Sequence, residues 1–294
     1  MKIGMRDIDS SPPVLFPPMA LLTGMVAINV GASFAQKLFP IVGAEGATSL
    51  RLTIGALILF FVLRPWRMRI LSGTWLPLIV YGVMMGAMNL LFYMSLKTLP
   101  LGVAVAIEFM GPLAVATLTS RRWIDFVWII IAVAGLILLL PLSEASSDID
   151  TVGVLYALGA GACWALYIVF GRVAGRDHGT TITSIGMIIA ALTVLPFGIA
   201  HAGMALIDPT VLTIGVLIAV LSSALPYTLE MFALRHLPTN TYGTLTCSEP
   251  AIGALVGLVL LGQVLPLIQW GGILLISLAS VGTTVTVVRS KSSR

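Results

Sequence analysis

The 294-residue sequence predicts an all-α integral membrane protein, with ten transmembrane helices arranged as two inverted five-helix repeats. Three observations carry this. Hydrophobic residues make up 58% of the chain and charged ones 10%, against about 25% charged in soluble domains, so the polar surface of a water-soluble fold is missing. Apolar runs recur along the whole length, and a bilayer core of roughly 30 Å needs about 20 apolar residues per helix. Finally, a segment near residue 100 returns 138 residues later, from position 96 to position 234.

The spans follow from apolar runs bounded by charge, Pro or Gly. A tail at 1–14 mixes both charge signs and ends in prolines without a cleavage site, so it reads as an uncleaved cytoplasmic tail. The first span, 15–36, stops before Lys37 and Pro40, and the second, 46–63, ends at Arg64. The third, 74–96, lies between RPWRMR and Lys97, and the fourth, 101–120, between Pro100 and the Arg121–Arg122 pair. The fifth, 123–141, leads into the acidic stretch LSEASSDID. The sixth to tenth occupy 152–171, 180–201, 210–233, 241–261 and 266–288, and 289–294 forms a basic tail.

Ten crossings place both termini on one side. Of the 16 Lys and Arg, Lys37 and Lys97 then fall on the other side, Arg51 falls within a span, and the remaining thirteen share the side of the termini. The positive-inside rule makes that side cytoplasmic. The formal charge of +4 is spread over short connections with no extended basic patch, so no nucleic-acid partner is expected.

The repeat is visible in LKTLPLGVAVAIEFMGP (96–112) and LRHLPTNTYGTLTCSEP (234–250), where Leu96/Leu234, Lys97/Arg235, Leu99/Leu237, Pro100/Pro238 and Pro112/Pro250 coincide. It divides the chain into halves at 15–141 and 152–288. Five helices per half force opposite orientations, the architecture of an alternating-access carrier.

Ionisable groups at membrane depth are costly and mark function or pairing. Arg51, Glu108, Glu230 and Glu249 are the four inside the spans and clear of their terminal turns. Arg51 is shallow enough to snorkel outward as an alternative to binding, and Glu230 can pair with Arg235. Pro112 and Pro250 kink the helices carrying Glu108 and Glu249, freeing the carbonyls of Glu108 and Thr246 for a polar cavity or for a purely structural kink. A carboxylate withdrawn from water takes up a proton more readily, which makes Glu108 and Glu249 the candidate proton-coupling residues. Asn29 and Asn89 are expected at the same outer-half depth as Glu108, either contacting a ligand or bonding between helices. The candidate substrate site is therefore Asn29, Arg51, Asn89, Glu108 and Glu249. Trp164, Tyr93, Tyr167, Tyr227 and Tyr242 read mainly as belt aromatics. No metal, catalytic residue or organic cofactor is indicated, which disfavours a membrane-embedded enzyme. No polar stripe repeats along several helices as a passive channel would require.

Several strings resemble the EamA branch of the drug/metabolite transporter superfamily, including GASFAQKLFP (31–40), NLLFYMSLKTLPLGVAVAIEFMGPLAV (89–115), RRWIDFVW (121–128), ALGAGACWALYI (157–168) and LPYTLEMFAL (225–234). The resemblance implies a bacterial inner-membrane exporter of small polar amino acids (threonine, homoserine and analogues), driven by the proton motive force, with protons and the lipid bilayer as its other partners. An aromatic or sulfur-containing metabolite or a drug is the alternative cargo, and the oligomeric state stays open.

Overall fold

A bilayer supplies no water to bond free backbone groups, so apolar runs of this length must close their hydrogen bonds within themselves as helices. The computed structural model, which describes residues 15–67, 75–118, 123–139, 150–175, 182–237 and 245–292, is helical throughout these stretches apart from short connections. Its helices are α1 Phe16–Leu63, α2 Trp75–Ser95, α3 Leu101–Glu108, α4 Met110–Leu118, α5 Trp123–Leu139, α6 Thr151–Gly175, α7 Ile182–Ala202, α8 Pro209–Ala219, α9 Leu225–His236, α10 Glu249–Leu261 and α11 Leu267–Ser292. The tail at 1–14, the basic pair Arg121–Arg122, and all of the acidic stretch except Asp150 lie outside the described residues.

α1 differs from expectation. Instead of a loop from 37 to 45, helix continues through Lys37 and Pro40, and two arms meet at Gly43 alone (φ 69°, ψ 174°). Neither boundary residue breaks the helix: Pro40 lies inside it, and Lys37 turns its ammonium over the Phe34 ring, 5.3 Å from the centroid. Only glycine fits the turn, because φ is positive and a Cβ there would lie 2.4 Å from His201 Nε2. The first arm therefore spans 16–42, which moves Asn29 to its midpoint rather than to the outer half. At the other end of the chain, α11 runs to Ser292, so residues 289–292 are helix and not tail.

Two helices are interrupted near the centre of the bundle. Phe109 separates α3 from α4, three residues before Pro112. A π-turn at Val220–Ala224 joins α8 to α9 just before Pro226, whose missing N–H leaves the Ser222 carbonyl without its usual donor. Among the described residues, Phe16–Leu63, Trp75–Ser95, Thr151–Gly171 and Ile182–Ile207 are long and apolar enough to cross a membrane, and the other apolar helices are shorter.

Packing brings early and late helices together. α2 lies on α6, α1 on α9, α1 on α7, α3 on α10 and α5 on α11, while α4 meets α6 and α10 meets α1. Small residues allow this closeness: a Cβ on Gly111 would come 1.9 Å from the Gly161 carbonyl oxygen. The largest buried cluster, which includes Leu38, Tyr93, Leu101, Ile107 and Ile273, fills the space among α1, α2, α3, α6, α8, α10 and α11.

Candidate functional site

A cavity of about 380 Å³ opens between the early and late helices. Residues of both arms of α1, and of α2, α3, α4, α6, α9 and α10, line it, and the five sequence-predicted residues Asn29, Arg51, Asn89, Glu108 and Glu249 are all among them. Along the first arm of α1 the lining runs from Leu21 to Ala32, about 16 Å at 1.5 Å per residue, so the cavity extends along the bundle axis. Apolar walls come from Met25, Ile28, Met88, Phe92 and Phe109.

Arg51 does not snorkel to a surface. It is 4% exposed, and its guanidinium is held by neutral groups. Nη1 donates to Tyr93 Oη at 3.2 Å, Nη2 donates to Asn89 Oδ1, and Cζ sits 5.1 Å from the Tyr93 ring centroid. Asn89 Nδ2 donates to the Met85 carbonyl at 2.8 Å, one turn back, which turns Oδ1 toward Arg51. Tyr93 is wholly buried between Phe39 and Phe92, so it is no belt aromatic. Arg51 Nε is buried with no hydrogen-bond partner, and among the described residues no carboxylate lies within ion-pair distance of Arg51.

The two carboxylates lie on α3 and α10. Glu108 is 8% exposed, and among the described residues none hydrogen-bonds to its carboxylate. Glu249 and Arg51 are its charged neighbours. The Glu108 carbonyl, freed by Pro112, is pressed against α6, since a Cβ on Gly161 would lie 2.7 Å from that oxygen. The kink brings α3 and α6 together as well as shaping the cavity wall.

Sequence reasoning underweighted three aromatics. Trp164 and Tyr167 line the cavity, with Trp164 edge-on to Phe109 at 5.6 Å and Tyr167 stacked on Tyr81 at 4.8 Å. Tyr93 supports Arg51 from behind. The repeat spacing could have placed Tyr167: Asn29 and Tyr167 differ by 138 positions, as do Glu108 and Thr246, and all four line the cavity. The side chains of Glu230, Arg235 and Tyr227, and all of Tyr242, lie outside the described residues. Among the described residues no cluster of His, Cys, Asp or Glu is placed to hold a metal.

A second ionic group gathers where the arms of α1 meet. Lys97 Nζ lies 3.1 Å from both Glu45 oxygens, and His201 Nδ1 is 3.8 Å from Glu45 Oε1. Partial burial pushes the Glu45 carboxyl up, but its own backbone N–H, Lys97 and His201 outweigh this and hold it below the usual carboxylate range.

The chain resembles named transporters over nearly its whole length. It is 52% identical over 275 residues to the threonine/homoserine exporter RhtA of Escherichia coli K12, covering 94% of this chain and 93% of the relative. It is 50% identical over 277 residues to the threonine/homoserine exporter RhtA of Salmonella typhimurium LT2, covering 94% of each. The EamA-like transporter family model matches residues 151–285. The chain belongs to the EamA-like transporter family. It is accordingly a membrane transporter and not an enzyme. In fold it is similar to a protein of known crystal structure at a TM-score of 0.59 and 18% identity, over 92% of this chain and 98% of the other.

Proposed function

We propose that this EamA transporter exports threonine, homoserine and related small amino acids from a bacterial cytoplasm across the inner membrane, driven by the proton motive force. The identity to named threonine/homoserine exporters supports the cargo. The observation that carries the site is a buried cation with no carboxylate at ion-pair distance among the described residues, sharing one cavity with two carboxylates. A zwitterionic amino acid complements that arrangement, and about 380 Å³ lies within the range of small-molecule sites. The α-carboxylate pairs with Arg51, whose Nη1 and Nη2 each keep a second N–H to fork onto two oxygens, and the α-ammonium pairs with Glu108 or Glu249. Asn89 orients the guanidinium, and Asn29 contributes a polar contact. Proton entry at one glutamate weakens its hold on the ammonium and so couples release to the gradient.

The proposed scaffold is ten spans in two inverted five-helix repeats, at 15–141 and 152–288, with both termini cytoplasmic. Support comes from the turn at Gly43, which divides α1 into two arms, and from the packing pairs. Exchanging the halves turns the α2–α6 contact into α9–α1 and the α4–α6 contact into α10–α1, while α5–α11 exchanges with itself. The bias of basic residues supports the orientation.

Efflux of labelled threonine and homoserine from preloaded proteoliposomes, with and without an imposed proton gradient, tests the proposal. Efflux stimulated by the gradient is expected. Well-folded protein that moves neither amino acid refutes the cargo, and efflux indifferent to the gradient refutes the coupling.

A further inference from the structure

Two asparagines in the cavity are built alike, but the oxygen of only one is committed. Asn29 is 3% exposed and its Nδ2 donates to the Met25 carbonyl at 2.9 Å, one turn back. A carbonyl can only accept, so chemistry fixes the amide orientation and leaves Oδ1 as the atom offered to its surroundings. Asn89 is tethered to Met85 in the same way, and its Oδ1 accepts from Arg51. Among the described residues none donates to Asn29 Oδ1, and this oxygen is not one of the unbonded polar atoms sealed from solvent, so it keeps access to the cavity that Asn29 lines.

Its position is fixed by its neighbours. A Cβ on Gly253 would lie 3.0 Å from Asn29 Oδ1 and 3.2 Å from Val105 Cγ2. Gly253 is one turn beyond Glu249 on α10, and Val105 is about one turn before Glu108 on α3. The open acceptor therefore stands about 5 Å, one helical pitch, from the level of the carboxylates proposed to hold the ammonium. That is the reach of an amino-acid side chain. An acceptor that faces the cavity, with no donor among the described residues, is open to one supplied by a ligand.

The two charged anchors account for the α-carboxylate and the α-ammonium, which every amino acid carries. Threonine and homoserine share one further polar group, a side-chain hydroxyl. We propose that Asn29 is the specificity residue of the site, accepting a hydrogen bond from the substrate hydroxyl through Oδ1 and thereby selecting hydroxylated amino acids. This rests on the exporter reading above and assigns one atom of it.

The test compares threonine with 2-aminobutyrate, which is threonine with hydrogen in place of the hydroxyl, in proteoliposomes holding the full-length protein. Wild type should favour threonine in kcat/KM by roughly 10- to 100-fold, the range expected for one buried polar contact to a reacting or transported group. Asn29→Leu should lose that factor for threonine, through KM, while 2-aminobutyrate changes by less than about threefold, the scale of a non-contacting change. An equal partial loss for both substrates overturns the proposal, because it marks Asn29 as structural or as an ammonium contact. If Asn29→Leu moves neither substrate, the proposal is overturned; if that variant fails to fold, Gly253→Ala decides, since it keeps Asn29 and sets a methyl against Oδ1: collapse of the threonine preference supports hydroxyl reading, and an unchanged preference overturns it. Wild type that moves both substrates equally leaves amino-acid export standing and removes hydroxyl recognition. Wild type that moves neither removes the exporter reading itself.

Discussion

At the turn between the arms of α1, Glu45 is bridged by Lys97 at 3.1 Å and approached by His201 at 3.8 Å, with all three side chains partly exposed. In the cavity, Arg51 is 4% exposed and, among the described residues, bonded only to the neutral Asn89 and Tyr93, with Nε unpartnered. The rim has its charges matched where water would have tolerated them unmatched. Among the described residues, the cavity leaves a cation with no carboxylate at ion-pair distance where desolvation is most expensive. Charges paired within the protein serve the fold, whereas a buried charge held only by neutral groups is poised for a ligand of opposite sign. Each prediction below either breaks that contrast or makes it sharper.

The largest effect should come from Arg51. Arg51→Leu should lower kcat/KM for threonine efflux by roughly a hundredfold or more, the scale of losing one desolvated charge-assisted pair. The melting temperature in detergent should change little, because the lost bonds to Asn89 and Tyr93 are set against removal of an uncompensated buried charge. Arg51→Lys should recover only part of the activity, since an ammonium cannot hold Asn89, Tyr93 and a forked carboxylate in one plane. A large drop in stability with transport intact would make Arg51 structural and erase the contrast.

Next come the carboxylates. Glu108→Gln and Glu249→Gln separate holding the cargo from coupling to the gradient. The variant at the coupling residue should lose gradient stimulation by about tenfold or more while still exchanging labelled for unlabelled threonine, because a fixed neutral amide can no longer gain and lose a proton. Tyr93→Phe is smaller. Removing one acceptor from the guanidinium should raise KM about three- to tenfold and leave kcat nearly unchanged, in line with one neutral hydrogen bond. A fall in kcat alone would mean that Tyr93 acts on the conformational step instead of on Arg51.

Much of this was legible in the sequence because hydrocarbon is an unforgiving solvent. A charge within an apolar run needs a reason, so Arg51, Glu108 and Glu249 stood out without any structure, and all three line the cavity. What stayed hidden was neutral or local. Tyr93 looks in sequence like any aromatic near a span end, and only packing between Phe39 and Phe92 shows that it backs Arg51. Lys37 and Pro40 looked like a boundary, yet a lysine set over the Phe34 ring and a tolerated proline left Gly43 to make the turn, which shifted Asn29 to mid-helix. The Glu45 group was missed because its members are distant in sequence and ordinary one by one. The family model illustrates the same point, since it matches 151–285, whereas Asn29, Arg51, Asn89 and Glu108 all belong to the other half.

The smallest effect, and the control for the contrast, belongs to Glu45. Exposed ion pairs contribute about 0.2–1 kcal/mol, so Glu45→Gln should lower the melting temperature at pH 7 by only a degree or two and leave threonine efflux within about twofold. The pH dependence gives the sign. The folded protein holds the Glu45 carboxyl below its ordinary value of 4.5, so its contribution is complete above that value and is lost as pH falls through the lower folded one. Wild type and Glu45→Gln should therefore differ at neutral pH and converge in acid, and added salt should narrow the gap by screening the pair. If Glu45→Gln instead abolishes transport while its melting temperature is unchanged, the rim is not merely holding the fold together. The Glu45, Lys97 and His201 group would then act as a gate, and charges matched within the protein would have to be counted with the cavity as parts of the transport machinery.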